Sequence, residues 1–117
     1  IDGFLAWLLD AQPTYKNGDL VLLQEILGHP WVIKYIAGVP GERISIKNDI
    51  IFVENRKIGA LQKTDSKGNL LLPIKEGVIP KDNYFVAGTH SLSFDSRYEK
   101  FGLVPHHKIA RKAWLIF

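Results

Sequence analysis

Apolar residues in this chain fall in short runs, and turn residues separate one run from the next. Valine, isoleucine and aromatic residues are frequent in the runs, and such side chains fit the pleated, half-buried surface of a β-sheet. The spacing of the runs favours an all-β sandwich or barrel over a helical bundle. The strands predicted in this way span Leu20–Leu23, Trp31–Ala37, Ile44–Ile46, Ile50–Val53, Leu70–Leu72, Tyr84–Ala87 and Ala110–Phe117.

Polar segments between the runs predict how the strands are connected. Residues 47–49 and 54–57 have the composition of tight turns, so residues 43–61 are predicted to form a three-stranded meander. Residues 62–69 are polar and indicate an exposed loop or a hairpin tip.

Helical signals are scarce. Residues 4–11 carry leucines at helical spacing between a glycine and a proline, and this segment is open to either a helix or a strand.

The length and composition of the chain indicate a single domain. A chain of 117 residues, 46% of them hydrophobic, has enough apolar side chains for one core, and no repeat or shift in composition marks a second domain. The absence of cysteine excludes disulfide scaffolds, thiolate metal sites and cysteine nucleophiles. The net charge of +3 falls short of the concentrated basic surface of a dedicated nucleic-acid binder, so we expect no nucleic-acid partner.

No apolar run approaches the roughly 20 residues that a membrane-spanning helix needs. The most apolar stretch, Phe4–Leu9, is expected to be a buried strand or a segment at the membrane interface. The sequence also has no initiating methionine. We therefore expect residues 1–117 to be one domain of a longer protein whose N-terminal part, including any membrane anchor, precedes Ile1.

Lys34 is the lysine whose surroundings point to chemistry. It lies inside the apolar run Trp31–Ala37, where the alternation of a strand places it on the same face as Val32 and Ile36. Burial makes a lysine lose its proton more readily, and the neutral amine can act as the base beside a nucleophilic hydroxyl. An edge-strand lysine whose stem covers apolar surface while its ammonium reaches water has the same pattern. The strand alone favours this second interpretation.

A second group of polar side chains follows the predicted strand Tyr84–Ala87. Residues 88–98 contain hydroxyls, a carboxylate and a guanidinium, and Asp95 and Arg97 can form a charge-assisted pair that fixes the loop. In such a loop a hydroxyl can hold a lysine amine in one orientation. Taken alone, the segment is better explained as a serine-rich turn with an ordinary surface ion pair.

Other kinds of site find little support. Four residues of this loop have the side chains of a Ser-His-Asp triad: His90, Ser93, Asp95 and Ser96. Their proximity in sequence does not support a triad, because triad members normally come from separate elements. No metal is expected, since the adjacent His106 and His107 point to opposite sides of an extended chain and no carboxylate recurs at ligand spacing. Residues 38–41 lack the Gly-Lys-Ser/Thr ending of a phosphate-binding loop.

Several segments, in order along the chain, resemble the sequence boxes of one protein family. Gly18-Asp19-Leu20-Val21 is similar to a Gly-Asp-x-Val box, and residues 34–44 resemble the Lys-Arg-x-x-Gly-x-Pro-Gly-Asp-x-Val box of the type I signal peptidases. The closing region of that family resembles residues 79–88, 93–98 and 102–105. The resemblance extends to the end of the chain. The short insert and the Ser-x-Asp-Ser-Arg-Tyr stretch look most like the conjugative-transfer (TraF-type) branch, which processes pilin precursors.

This resemblance implies a fold, a mechanism and roles for four residues. Type I signal peptidases are membrane-anchored proteases with a coiled, mostly antiparallel β domain and a Ser-Lys dyad. By resemblance, Lys34 is the general base, Ser93 is the hydroxyl that orients its amine, and Asp95 pairs with Arg97 to hold that wall of the site. No metal or cofactor is implied. A lysine on an apolar strand is a sensible base if burial lowers its pKa toward the working pH.

The nucleophilic serine of the family lies upstream of the Gly-Asp-x-Val box, whereas the first serine of this chain is Ser45. Aligning residues 12–19 on the common Ser-Met-x-Pro-Thr-Leu-x-x-Gly-Asp box places Asp10 at the serine position, which implies an inactive or altered site. In the conjugative branch the serine stands farther from Gly-Asp, and we therefore expect it at or just before Ile1. Three further departures are Tyr35 for arginine, Glu42 for aspartate and Gly88-Thr89-His90 for Gly-Asp-Asn.

The implied function is that of a serine endopeptidase that removes signal or leader peptides from secreted or conjugative-pilin precursors. We expect the domain on the periplasmic, extracytoplasmic side of the bacterial cytoplasmic membrane, with a precursor peptide as its partner. One alternative is a catalytically inactive relative that binds extended peptides by strand addition. Another is a self-cleaving Ser-Lys regulator of DNA-damage genes, which would not account for the stretch at residues 93–98.

Overall fold

Antiparallel β-strands make up most of the secondary structure of residues 14–114, the part of the chain that the computed structural model describes. The strands are β1 (Leu20–Ile26), β2 (His29–Gly38), β3 (Arg43–Lys47), β4 (Ile50–Val53), β5 (Arg56–Ala60), β6 (Gly77–Val78), β7 (Asn83–Ala87), β8 (Val104–Pro105) and β9 (Ile109–Lys112). A 3-10 turn, His106–Lys108, joins β8 to β9. The prediction of a mainly β, antiparallel domain is confirmed.

The strands form two sheets with two apolar cores. The first sheet has the order β8-β7-β2-β1-β9, and the second has the order β5-β4-β3-β6. Strand β7 contributes to both cores, because Val86 is buried in the first core and Phe85 in the second. Strand β2 does the same with Ile36 and Ala37. These two strands are therefore apolar on both faces, which explains their continuous apolar runs in the sequence.

Two-residue turns set the register of the hairpins. Leu27 and Gly28 join β1 to β2 with φ of 48° and 83°, and Asn48 and Asp49 join β3 to β4 with φ of 53° and 61°. Positive φ at both positions is the geometry whose twist matches that of the flanking strands. The turn predicted at residues 47–49 and the meander predicted over residues 43–61 are both confirmed.

The predicted strand Leu70–Leu72 is wrong. Leu70 forms only an isolated bridge with Thr64, and the side chains of Leu70 and Leu72 face solvent. Residues 62–72 thus form a folded-back loop, in which the Leu71 N–H donates to the Lys63 carbonyl at 2.8 Å. No strand among the described residues 14–114 pairs with Leu70–Leu72, and Pro73, which has no N–H to donate, follows this segment.

The last predicted strand, Ala110–Phe117, is observed as β9 over Ile109–Lys112, and residues 115–117 are not described. The segment at residues 4–11, predicted as either helix or strand, also lies outside the described residues. Among residues 14–114, no helix is long and apolar enough to cross a membrane.

Candidate active site

Lys34 lies near the middle of β2, on the face that the alternation of the sequence predicted. Val32 and Ile36 share that face and pack in the first core. The pairing of β2 with β7 places Tyr35 opposite Ala87 and Ile36 opposite Val86. Continuing this register by one position puts Lys34 opposite Gly88, and directly opposed residues of an antiparallel pair project to the same side of the sheet.

Gly88 has no side chain, and this leaves room for two polar groups. A Cβ built on Gly88 would lie 3.3 Å from Nζ of Lys34 and 2.7 Å from Cβ of Ser93, and it would also overlap the Oγ of Ser93. The lysine amine and the serine hydroxyl therefore approach the same point beside the Gly88 backbone. Any larger residue would push one of them away, so the position requires glycine for space.

The Ser93 hydroxyl is positioned by its own loop. Its Oγ accepts a hydrogen bond from the backbone N–H of His90 at 3.2 Å, and the Ser93 N–H donates to the His90 carbonyl at 3.1 Å. A hydroxyl that accepts from the backbone keeps its own proton to donate, and an amine lone pair is a suitable acceptor. The His90 ring is engaged elsewhere, because its Nδ1 accepts from the Leu92 N–H at 3.0 Å.

Asp95 and Arg97 form a buried ion pair that fixes the loop against the end of β7. One carboxylate oxygen accepts from the Gly88 N–H at 2.9 Å, and the other accepts from the Arg97 N–H at 3.0 Å and lies 3.2 Å from Nε of Arg97. The guanidinium also donates to the carbonyls of Gly88, His90 and Ser91 at 3.2–3.4 Å. A buried charge pair requires such additional hydrogen bonds to offset its desolvation.

The surroundings of Lys34 favour the neutral amine. Burial lowers the pKa of Lys34 below its ordinary 10.5; the negative charge of Asp95 opposes this shift, and the positive charge of Arg97 adds to it. The ring of Phe101 lies 6.0 Å from Nζ and forms an apolar wall. Burial also raises the pKa of Asp95, against the hydrogen bonds that its carboxylate accepts from Gly88 and Arg97. A half-buried amine of lowered pKa is suited to accept a proton.

The structure thus brings together all four residues that the sequence predicted, and it adds others that sequence reasoning missed. Ser96 bonds to β7 through both its backbone and its hydroxyl, since its N–H donates to the Val86 carbonyl at 3.0 Å and its Oγ accepts from the Val86 N–H at 3.0 Å. Gly59 of β5 leaves room for the Arg97 guanidinium, 3.1 Å from where a Cβ would lie. The sequence offers one signal for this close packing, which is the position of Gly88 directly after a buried strand.

A second ion pair holds the chain before β1 in place. The carboxylate of Glu42 accepts from Asn17 Nδ2 and the Val39 N–H at 3.0 Å, and from two nitrogens of Arg56 at 2.8 Å. Arg56 also donates to the Ala37 carbonyl at 3.1 Å. These hydrogen bonds, those from Arg56 above all, lower the pKa of Glu42 to about 2. Glu42 therefore binds three segments together: the chain before β1, the end of β2 and β5.

A half-buried lysine amine of lowered pKa, held near an orienting hydroxyl on an antiparallel β fold, has the properties of a general base. Comparison with known proteins identifies the class of protein. The sequence matches the family described as signal peptidase, peptidase S26, over residues 6–117, and the chain belongs to this family.

Individual relatives give the same result. The chain is 35% identical to a conjugal transfer protein TraF of Agrobacterium tumefaciens (strain 15955) over 88 residues, which cover 74% of this chain and 48% of that protein. It is 30% identical to a signal peptidase I of Bacillus amyloliquefaciens over 110 residues, covering 87% of this chain and 56% of the relative. The chain thus spans about half the length of these relatives.

The fold is also that of a solved structure. The crystal structure of a signal peptidase I from Enterococcus faecalis V583 matches with a TM-score of 0.58 and 18% sequence identity, over 89% of this chain and 100% of that one. At this identity the match concerns the fold alone. It agrees with the curled antiparallel sheets described above.

Proposed function

We propose that the protein is a membrane-anchored serine peptidase that removes signal or leader peptides from exported precursors, with Lys34 as its general base. The observation that carries the proposal is the half-buried amine of Lys34, which lies beside the Gly88 backbone at the same point as the Ser93 hydroxyl. Membership of the signal peptidase family supports the reaction class. The proposal places the domain on the extracytoplasmic side of the bacterial membrane, with the anchor and the nucleophilic serine outside these 117 residues.

In this mechanism the neutral Lys34 amine takes the proton of the nucleophilic serine while that serine oxygen bonds to the scissile carbonyl carbon. The ammonium so formed gives the proton to the departing amine as the peptide bond breaks, and an acyl-enzyme remains. The amine then takes a proton from water, whose oxygen attacks the ester carbonyl. As the ester bond breaks, the ammonium gives this proton to the departing serine oxygen, which restores the serine hydroxyl and the neutral amine. Lys34 ends each cycle neutral, so its lowered pKa serves both halves of the reaction.

The other three residues act on the amine indirectly. Ser93 donates its hydroxyl proton to the lone pair of the neutral amine and so fixes the direction in which Nζ points. Asp95 and Arg97 hold the loop that carries Ser93, through the backbone of Gly88, His90 and Ser91. We therefore assign Ser93 an orienting role and the ion pair a positioning role.

The identity of 35% to a conjugal transfer protein TraF supports a narrower substrate, the precursor of a conjugative pilin. The similarity to signal peptidase I of Bacillus supports secreted precursors more generally. Cleavage of either precursor requires the same chemistry at Lys34. One experiment can therefore test the reaction before the choice between the two substrate classes is made.

The test is cleavage of a pilin precursor and of a secreted precursor by the full-length protein in detergent. We expect Lys34→Met to abolish cleavage, because the variant keeps the length of the side chain and loses the base. Lys57→Met is the matched control, since Lys57 is an exposed lysine of β5 and its variant should cleave at the wild-type rate. Cleavage by Lys34→Met at the wild-type rate would overturn the proposal. Binding of a precursor without cleavage by the wild type would favour the inactive, peptide-binding alternative.

A further inference from the structure

A groove of about 590 Å³ lies between the loop at residues 62–72 and the loop at residues 91–100. We call it the loop groove. Its volume falls in the range of sites that hold small molecules or short peptide segments. Its lining includes Leu70, Leu71, Leu92, Ser93, Phe94 and Tyr98.

The two walls of the loop groove are fastened to each other. The Gln62 N–H donates to the Tyr98 hydroxyl at 3.0 Å, and the Glu99 N–H donates to the Leu72 carbonyl at 2.9 Å. The tip of the first loop is held by Asp65, whose carboxylate accepts from two backbone N–H groups at 2.9 Å. The loop groove is therefore a built feature of the fold rather than a gap between loose loops.

Apolar side chains rim the loop groove although they face solvent. Leu70 is 72% exposed and Leu92 is 66% exposed, and Phe94 stacks on Tyr98 with ring centroids 5.9 Å apart. Apolar side chains that gather around one groove while exposed to solvent are typical of a binding surface. An extended peptide with apolar side chains fits such a rim, because its side chains alternate between the two walls.

Ser93 connects the loop groove to the candidate active site. It lines the groove, and its hydroxyl and the Lys34 amine both approach the Gly88 backbone. We infer that the loop groove holds an extended apolar stretch of the substrate polypeptide next to the bond that is cleaved. This inference rests on the proposed peptidase function, and it adds a binding surface for residues of the substrate beyond those at the reacting bond.

The test uses steady-state cleavage of precursor peptides by the full-length protein. We expect Leu92→Gln and Leu70→Gln each to raise KM about tenfold with little change in kcat, since each variant removes apolar contact worth roughly one leucine side chain. Both leucines are exposed, so the variants should fold as the wild type does. Leu27→Gln is the matched control, an exposed leucine in the β1–β2 turn that does not line the groove, and its KM should stay unchanged.

A peptide series identifies the substrate residue that contacts the loop groove. Leucine is replaced by glutamine at each position within about five residues of the cleaved bond. At one or more positions the wild type should prefer leucine, and Leu92→Gln should lose that preference. Wild-type cleavage with unchanged KM in both groove variants would overturn the inference and leave the peptidase function intact. No cleavage by the wild type would instead be the failure of the proposed function.

A binding measurement without turnover further separates the role of the loop groove from the peptidase function. A fluorescent peptide of the same sequence is titrated with the Lys34→Met protein and followed by anisotropy. We expect Leu92→Gln in that background to weaken binding about tenfold. An equal dissociation constant with and without the Leu92 change would contradict a role of the groove in peptide binding.

Discussion

Replacing Glu42 with glutamine tests how strongly the second ion pair stabilises the domain. The pKa of Glu42 is about 2 against an ordinary 4.5, and each unit of difference corresponds to ~1.36 kcal/mol of unfolding free energy. Arg56 is 43% exposed, so solvent screens a good part of that energy. We expect Glu42→Gln to lower the free energy of unfolding at pH 7 by about 1–2 kcal/mol.

The pH dependence of this loss has a definite sign. A carboxylate whose pKa is depressed in the folded state stabilises the fold above its unfolded pKa, and the contribution is lost as the pH falls through the folded pKa. The difference between the wild type and Glu42→Gln should therefore be full above pH 4.5 and shrink between pH 4.5 and about 2.

Denaturant unfolding followed by circular dichroism at pH 7, 4 and 2.5 measures this difference. Glu99→Gln is the control, since Glu99 is exposed and its carboxylate makes no hydrogen bond or ion pair with the described residues 14–114. A loss of stability in Glu42→Gln that stays the same from pH 7 to pH 2.5 would refute the reasoning, because the cause would then be packing rather than charge.

Two further predictions concern the candidate active site. Gly88→Ala should lower the free energy of unfolding by about 1–3 kcal/mol and kcat by on the order of a hundredfold, because the new methyl group displaces Ser93 or the amine of Lys34; equal kcat in precursor cleavage assays of both proteins would contradict it. The second prediction is that kcat/KM rises with pH along an acid limb whose midpoint lies below 10.5, since activity needs the neutral amine and is lost as the pH falls through the lowered pKa of Lys34. A kcat/KM that stays constant over the whole pH range below 10.5, with no acid limb, would count against Lys34 as the base.

Local patterns in the sequence predicted much of the fold. The core strands and the face of Lys34 follow from alternation and β-branched composition, which depend only on neighbours along the chain. The strand predicted at Leu70–Leu72 shows the limit of such patterns. Three consecutive leucines have the composition of a strand, but whether a neighbouring strand pairs with them depends on residues far away in sequence.

The candidate site was predicted by resemblance to a family, and its contacts needed the structure. The approach of Lys34 to Ser93 depends on the register of β2 against β7, which pairs Tyr35 with Ala87 and so places Lys34 opposite Gly88. The register of two strands that lie far apart in sequence is not visible in the order of residues. The pairing of Glu42 with Arg56 could not be predicted from the sequence either, because it joins segments that only the folded chain brings together.

The two strands that face both apolar cores have a consequence for how the domain opens. Loss of β7 from the sheet would expose Val86 to water on one side and Phe85 on the other, so neither core can come apart alone. Backbone amides of β2 and β7 should then exchange with solvent only through near-global unfolding. Because Lys34 lies on β2 and Gly88 directly follows β7, we expect the spacing between these two residues to persist when the surrounding loops fluctuate.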